Sequence, residues 1–152
     1  MNEELMNAKQ ELKRVDHLIF VSLKYTRTAD VLKNVVLRLI NSYEFIVDSL
    51  LVMASENGKI KEIPTAPMLK VEELKKLFPD DKALTEKLDF YVLLRKIKNA
   101  EYEAENEFRR HVTMRTKIDG NEIDINIDIV TDYYKDTKQF IEYIESTYAD
   151  ND

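Results

Sequence analysis

The stretch DKALTEKLDFYVLLRKIKNAEYEAENEFRRH, residues 81–111, contains neither Gly nor Pro and reads as one long helix. Leu84, Leu88, Tyr91, Leu94, Ala104, Phe108 and the following Val112 recur at helical spacing and form an apolar ladder expected to face a core. The two densest polar clusters, residues 95–102 and 109–111, lie on the same stretch. It is therefore expected to be both the frame of the fold and its best candidate surface.

Working from that frame, a chain of 152 residues fits one domain spanning residues 1–152 and can bury a single substantial core. With 44% hydrophobic and 34% charged residues, two Gly and three Pro, the composition suits long helices. There is no Cys, which excludes disulfides, thiolate metal sites and thiol nucleophiles, and only His17 and His111 supply imidazoles. No apolar run approaches the roughly 18 residues of a membrane span, and the charged N-terminal segment lacks a signal-peptide pattern. A cytoplasmic protein is expected.

The net charge of −6 is unevenly placed: residues 119–152 hold ten acids against two lysines, leaving the first 118 residues at +2. A DNA grip through overall charge is not expected, but a local basic patch on the first 118 residues remains open.

In chain order, Leu5, Ala8, Leu12, Val15, Ile19 and Leu23 predict a first helix over residues 3–25. Its middle, residues 17–21, is apolar most of the way round and should be buried on more than one side. Thr28 is placed to cap a second helix running to Glu56, striped by Val35, Leu39, Tyr43, Ile46, Leu50 and Met53 and widened by Leu32, Val36, Ile40 and Leu51. An antiparallel pair is expected, a single helix of more than 50 residues being the alternative. Asn57 and Gly58 end the second helix. A connector over residues 59–70 holds Pro64 and Pro67, and a short helix over residues 71–78 stops at Pro79. Asp80 or Asp81 then caps the long helix.

After it, HVTMRTKIDGNEIDINI carries a hairpin signal, since Asp119-Gly120 suits a type I′ turn that needs positive φ at both central positions. Folding there sets Met114 against Ile125 and Thr116 against Ile123 on an apolar face. Arg115 then opposes Asp124 and Lys117 opposes Glu122 on a charged one, so both faces agree on the register. A final helix, residues 128–148, is striped by Val130, Tyr133, Tyr134, Phe140, Ile141, Ile144 and Tyr148, and residues 149–152 should fray. The expected fold is mainly α: an up-and-down four-helix bundle with a short extra helix and one β-hairpin at about residues 112–127.

Candidate chemistry is sparse. Arg109, Arg110 and His111 at the end of the long helix suit the negative end of its dipole, or could contact phosphate. His17, beside Asp16, reads as a hydrogen-bonded histidine near the core. Glu101, Glu103, Glu105 and Glu107 read as a solvated face. Two separated imidazoles make no metal motif, and no cofactor is expected. Tyr133, Tyr134 and Tyr143 are candidates for interface anchors.

The segment from Leu94 through Ala104, LRKIKNAEYEA, followed later by YYKDTKQFI at residues 133–141, resembles the third and fourth helices of HEPN-type proteins. The resemblance implies a small helical bundle, with self-association and RNA as partners. It also points to Arg95, Lys98, Asn99 and Tyr102, with Arg109, Arg110 and His111, as the RNA or partner contact. The family's hallmark His, a few residues after an Arg, is replaced here by Tyr102 after Arg95 and Asn99, so the family's RNA cleavage is not assumed for this chain. From the residues themselves, the expected role is that of a homodimeric, non-enzymatic interaction protein, with a HEPN-like RNA-binding or RNA-cleaving protein as the alternative.

Overall fold

The apolar stripe of the N-terminal segment forms α1 (Glu3–His17), whose Leu5, Ala8, Leu12 and Val15 are buried. A computed structural model describes residues 3–148; the fraying expected at residues 149–152 lies outside the described residues. The helix continues through a π-helical turn, Leu18–Ser22, into the short α2 (Leu23–Tyr25). There the Leu23 N–H bonds to the Leu18 carbonyl, a spacing of five residues that widens the turn. Ile19 and Leu23 stay buried, whereas Phe20 and Val21 turn outward, each 42% exposed. Burial on several sides of this segment is thus corrected, and His17 is exposed rather than held near the core.

Residues 26–28 break the chain, and α3 (Ala29–Glu56) starts under the Thr28 cap, with Oγ1 accepting from the Val31 N–H at 3.3 Å. Two helices packed on each other replace the single long-helix alternative. All of the predicted α3 stripe is buried, and α3 packs against α1 and each of the later long helices. Its end is closed by Asn57, Gly58 and Lys59, whose N–H groups donate to the carbonyls of Met53, Ser55 and Ala54. Gly58 has φ +72°, and an added Cβ would meet nothing within 4 Å. Gly58→Ala should therefore cost about 1 kcal/mol of stability from backbone strain alone. Urea unfolding measures it, and an unchanged midpoint would contradict that role.

α4 (Pro67–Leu77) begins earlier than expected, because Pro67 occupies its first turn, where the missing N–H has no partner to lose. α5 (Lys82–Asn99) is capped by Asp81, whose Oδ1 accepts from the Leu84 N–H at 3.0 Å. The long helix to His111 is corrected here. It stops at Asn99, Ala100 is extended, and the chain enters β1 (Tyr102–Glu105). Leu84, Leu88, Tyr91, Leu94 and Val112 are core as predicted, but Ala104 and Phe108 are exposed.

β2 (Thr113–Ile118) and β3 (Asn121–Ile125) form the predicted hairpin. The pairs Met114–Ile125, Arg115–Asp124, Thr116–Ile123 and Lys117–Glu122 are all present. Asp119 and Gly120 have φ of +51° and +83°, as the turn requires. The hairpin is part of an antiparallel sheet of order β1-β2-β3, with Glu103 opposite Arg115 and Glu105 opposite Thr113. One face carries Met114, Thr116, Ile118 and Ile125 into the core; on the other, Arg115 bridges Glu105, Glu122 and Asp124. α6 (Ile127–Tyr148) closes the fold, burying Val130, Phe140, Ile141 and Ile144.

The buried hydroxyls of Ser42, Tyr43 and Thr137 are matched inside this core. Ser42 Oγ donates to the Ala8 carbonyl at 2.9 Å. Thr137 Oγ1 donates to the Tyr133 carbonyl, so the Tyr43 hydroxyl, 2.9 Å away, must donate to Thr137. These bonds tie α1 to α3 and α3 to α6.

Candidate interaction surface

Of the seven polar residues singled out in the sequence, Arg95 and Tyr102 contact α3 at two separate places, Glu44 and Asp30. Arg95 projects from α5 onto Glu44, with Nη1 to Oε2 at 2.8 Å, and the same carboxylate oxygen accepts the Tyr91 hydroxyl at 2.9 Å. Burial, then the Glu44 charge, push the Tyr91 hydroxyl well above its ordinary value. Glu44 and Tyr91 line a cleft of about 510 Å³ that also holds Glu11, Asn41, Asp48 and Lys70. Lys70 pairs with Asp48 at 2.7 Å, so the cleft's principal charges are neutralised by one another.

Tyr102 lies elsewhere. Its hydroxyl donates to Asp30 in the first turn of α3, and that bond, followed by partial burial, pushes it above its ordinary value. Lys33 Nζ sits 5.2 Å from the centre of the Tyr102 ring. Asp30 and Glu44 are separated by fourteen residues of one helix, about 21 Å, so Arg95 and Tyr102 do not share a groove. Lys98 and Asn99 are exposed at the end of α5.

Arg109, Arg110 and His111 are not at a helix terminus, which corrects the dipole explanation. They belong to the loop of residues 106–112 between β1 and β2, and all three are exposed. Arg110 pairs with Asp128 at 2.8 Å, and the His111 carbonyl accepts from Thr113 Oγ1 at 3.0 Å. The loop is pinned to the start of α3 by the Phe108 N–H, which donates to the Arg27 carbonyl at 2.6 Å. Glu107 is near enough to raise Tyr102 further. The loop and Tyr102 therefore share one corner, at the opposite end of α3 from Glu56.

That corner has two features the sequence reading missed. Phe108 is 76% exposed and has φ +67°, while Asn106 has φ +55°. A bulky aromatic residue in the left-handed region is a conformational outlier that the surrounding structure must impose. Tyr25, two residues before Arg27, is 85% exposed. Its position at the end of α2, next to the break at residues 26–28, was a usable signal of exposure. Nothing local distinguished Phe108 from a ladder residue, because its exposure depends on the bond to Arg27.

The tyrosines expected to be free as anchors are engaged internally. Tyr134 donates to Asp16 at 2.8 Å and is pushed up to about 12 by burial and that bond. Tyr143 donates to Asp81 at 2.8 Å, and Tyr133 packs edge-on against Phe90 with centroids 4.8 Å apart.

No family model matches the chain, and no curated protein or solved structure matches it either. Among the described residues no cluster of His, Asp or Glu is arranged to hold a metal ion, and no helix is long and apolar enough to cross a membrane.

Proposed function

We propose that this chain works by binding, as a helical-bundle interaction protein in which α1, α3, α5 and α6 form the four-helix frame, and that the corner around Phe108 is its contact surface. The observation that carries this reading is the exposed Phe108 held at positive φ. A fold that spends conformational energy to hold an aromatic ring in solvent has a use for that ring. Tyr25, two residues before the Arg27 that holds this loop, and Arg109 on the loop itself add residue types that dominate interface energetics. Self-association into a homodimer through this corner is the first expectation. The paired charges of the 510 Å³ cleft support binding over catalysis, since they leave Glu44, Arg95, Asp48 and Lys70 engaged structurally.

A second reading, an RNA-binding protein of HEPN-like type, is favoured by one specific feature of the same corner. Its exposed rings, Tyr25 and Phe108, are each followed or preceded in sequence by cations, Lys24, Arg109 and Arg110, the combination that lets bases stack while phosphates are neutralised. Sedimentation velocity at tens of micromolar should show a dimer under the first reading. Under the second, a monomer should bind single-stranded RNA with affinity that falls steeply as salt rises. A monomer that binds no RNA would remove both.

A further inference from the structure

Away from that corner, α1 and α3 enclose a recess of about 230 Å³ lined by Arg14, His17, Leu18 and Arg38. Arg14 and His17 stand one turn apart on the same face of α1, and Arg38 reaches across from α3. Both guanidinium groups are held by one carboxylate. Arg14 Nη1 lies 2.5 Å from Glu11 Oε1, and Arg38 Nη1 lies 3.3 Å from Glu11 Oε2. Glu11 is only 7% exposed, so it acts as a buried clamp that fixes the two forks rather than as a competing surface charge.

Each arginine spends one nitrogen on this clamp. Among the described residues the other guanidinium N–H groups and the His17 imidazole make no hydrogen bond, and two arginines against one carboxylate leave the recess positive. Planar forks with free N–H groups, set in advance, match the oxygen geometry of phosphate better than flexible lysines would. Leu18 supplies an apolar wall on one side.

We propose that Arg14, His17 and Arg38 form an oxyanion site that takes a phosphate group, either as free phosphate or as the monoester of a small organic molecule. The site is independent of the corner surface and stands or falls separately from it. It was not legible in the sequence because Arg38 lies twenty-four residues from Arg14, and only the packing of α1 on α3 brings them together.

The test is an amide-resolved NMR titration of the full chain with inorganic phosphate and, separately, with a nucleoside 5′-monophosphate, against chloride at equal ionic strength. Saturable shifts at residues 14–18 and 38 are expected with both phosphates and not with chloride. Tighter binding of the nucleotide would identify an organic phosphate as the ligand, and equal binding free phosphate. Arg38→Gln should weaken binding about tenfold or more, the loss of one charge-assisted contact. His17→Gln, at an exposed position that the fold does not depend on, should weaken it as well and serves as the reading if Arg38→Gln perturbs folding. Lys13→Gln, a neighbouring cation outside the recess, should leave it unchanged. Non-saturating shifts, or an equal loss in Lys13→Gln, would show diffuse charge attraction and overturn the proposal.

Discussion

Replacing Asp81 by Ala is expected to lower the unfolding free energy by about 3 kcal/mol and the melting temperature by roughly 10 °C. This one carboxylate holds three things. Oδ1 caps α5 through the Leu84 N–H at 3.0 Å, and Oδ2 accepts both the Tyr143 hydroxyl at 2.8 Å and the Tyr148 hydroxyl. Losing a cap costs about 1 kcal/mol, and each hydrogen bond to a charged group is worth about 1.5 kcal/mol or more, reduced here by partial exposure. The start of α5 and the last turns of α6 would come apart together.

The same group predicts how stability varies with pH. Partial burial pushes the Asp81 carboxyl up, but the bonds from Tyr148, the Leu84 N–H, Tyr143 and the Ala83 N–H outweigh it and hold the carboxyl below its ordinary value. The folded protein therefore releases the proton more readily than the unfolded chain. Its contribution is fully present above the unfolded pKa of about 4 and is lost as pH falls through the folded value. In urea titrations the gap between wild type and Asp81→Ala should be constant near neutrality and shrink in acid. A gap that stayed constant down to strongly acidic pH would mean that Asp81 acts without its charge.

The second large effect concerns Phe108, where stability and binding should move apart. Phe108→Gly removes the left-handed strain, worth about 1–2 kcal/mol, while adding unfolded-state freedom worth about 0.4–1 kcal/mol. With the ring 76% exposed, little burial is lost, so stability should hold or rise by up to about 1 kcal/mol. Partner binding, whether read as dimerisation or as RNA affinity, should fall about thirtyfold, the loss of a 2 kcal/mol anchor. Urea unfolding beside sedimentation or RNA anisotropy measures both quantities on one variant. A clear drop in stability would make Phe108 a structural residue, and unchanged binding would remove the corner as the contact surface.

Residues whose neighbours in sequence decide their state were read correctly. Thr28, Asp81 and Gly58 punctuate helices through local hydrogen bonds and backbone freedom, and the hairpin register follows from its turn and its two faces. The error at β1 has a definite cause. Glu101, Glu103, Glu105 and Glu107 alternate with period two, the mark of a strand, yet Glu and Ala are strong helix formers and no break precedes them. Pairing with β2 overrides that preference, and the partner strand begins only at Thr113. Of the candidate residues, Tyr102, Arg109, Arg110 and His111 do gather at one corner, while Arg95 belongs to a separate ion-paired cluster with Glu44.

By itself, the sequence determined that this chain is mainly helical, which faces of its helices are buried, where most of its helices begin and how its hairpin is paired. Each of these depends on periodicity or on atoms a few residues apart. Only the tertiary structure decided that β1 is a strand, that Phe108 faces solvent, and that Arg14 and Arg38 meet across Glu11. These depend on partners brought together from distant positions: β2 for β1, the Arg27 carbonyl for Phe108, and α3 packed on α1 for the recess.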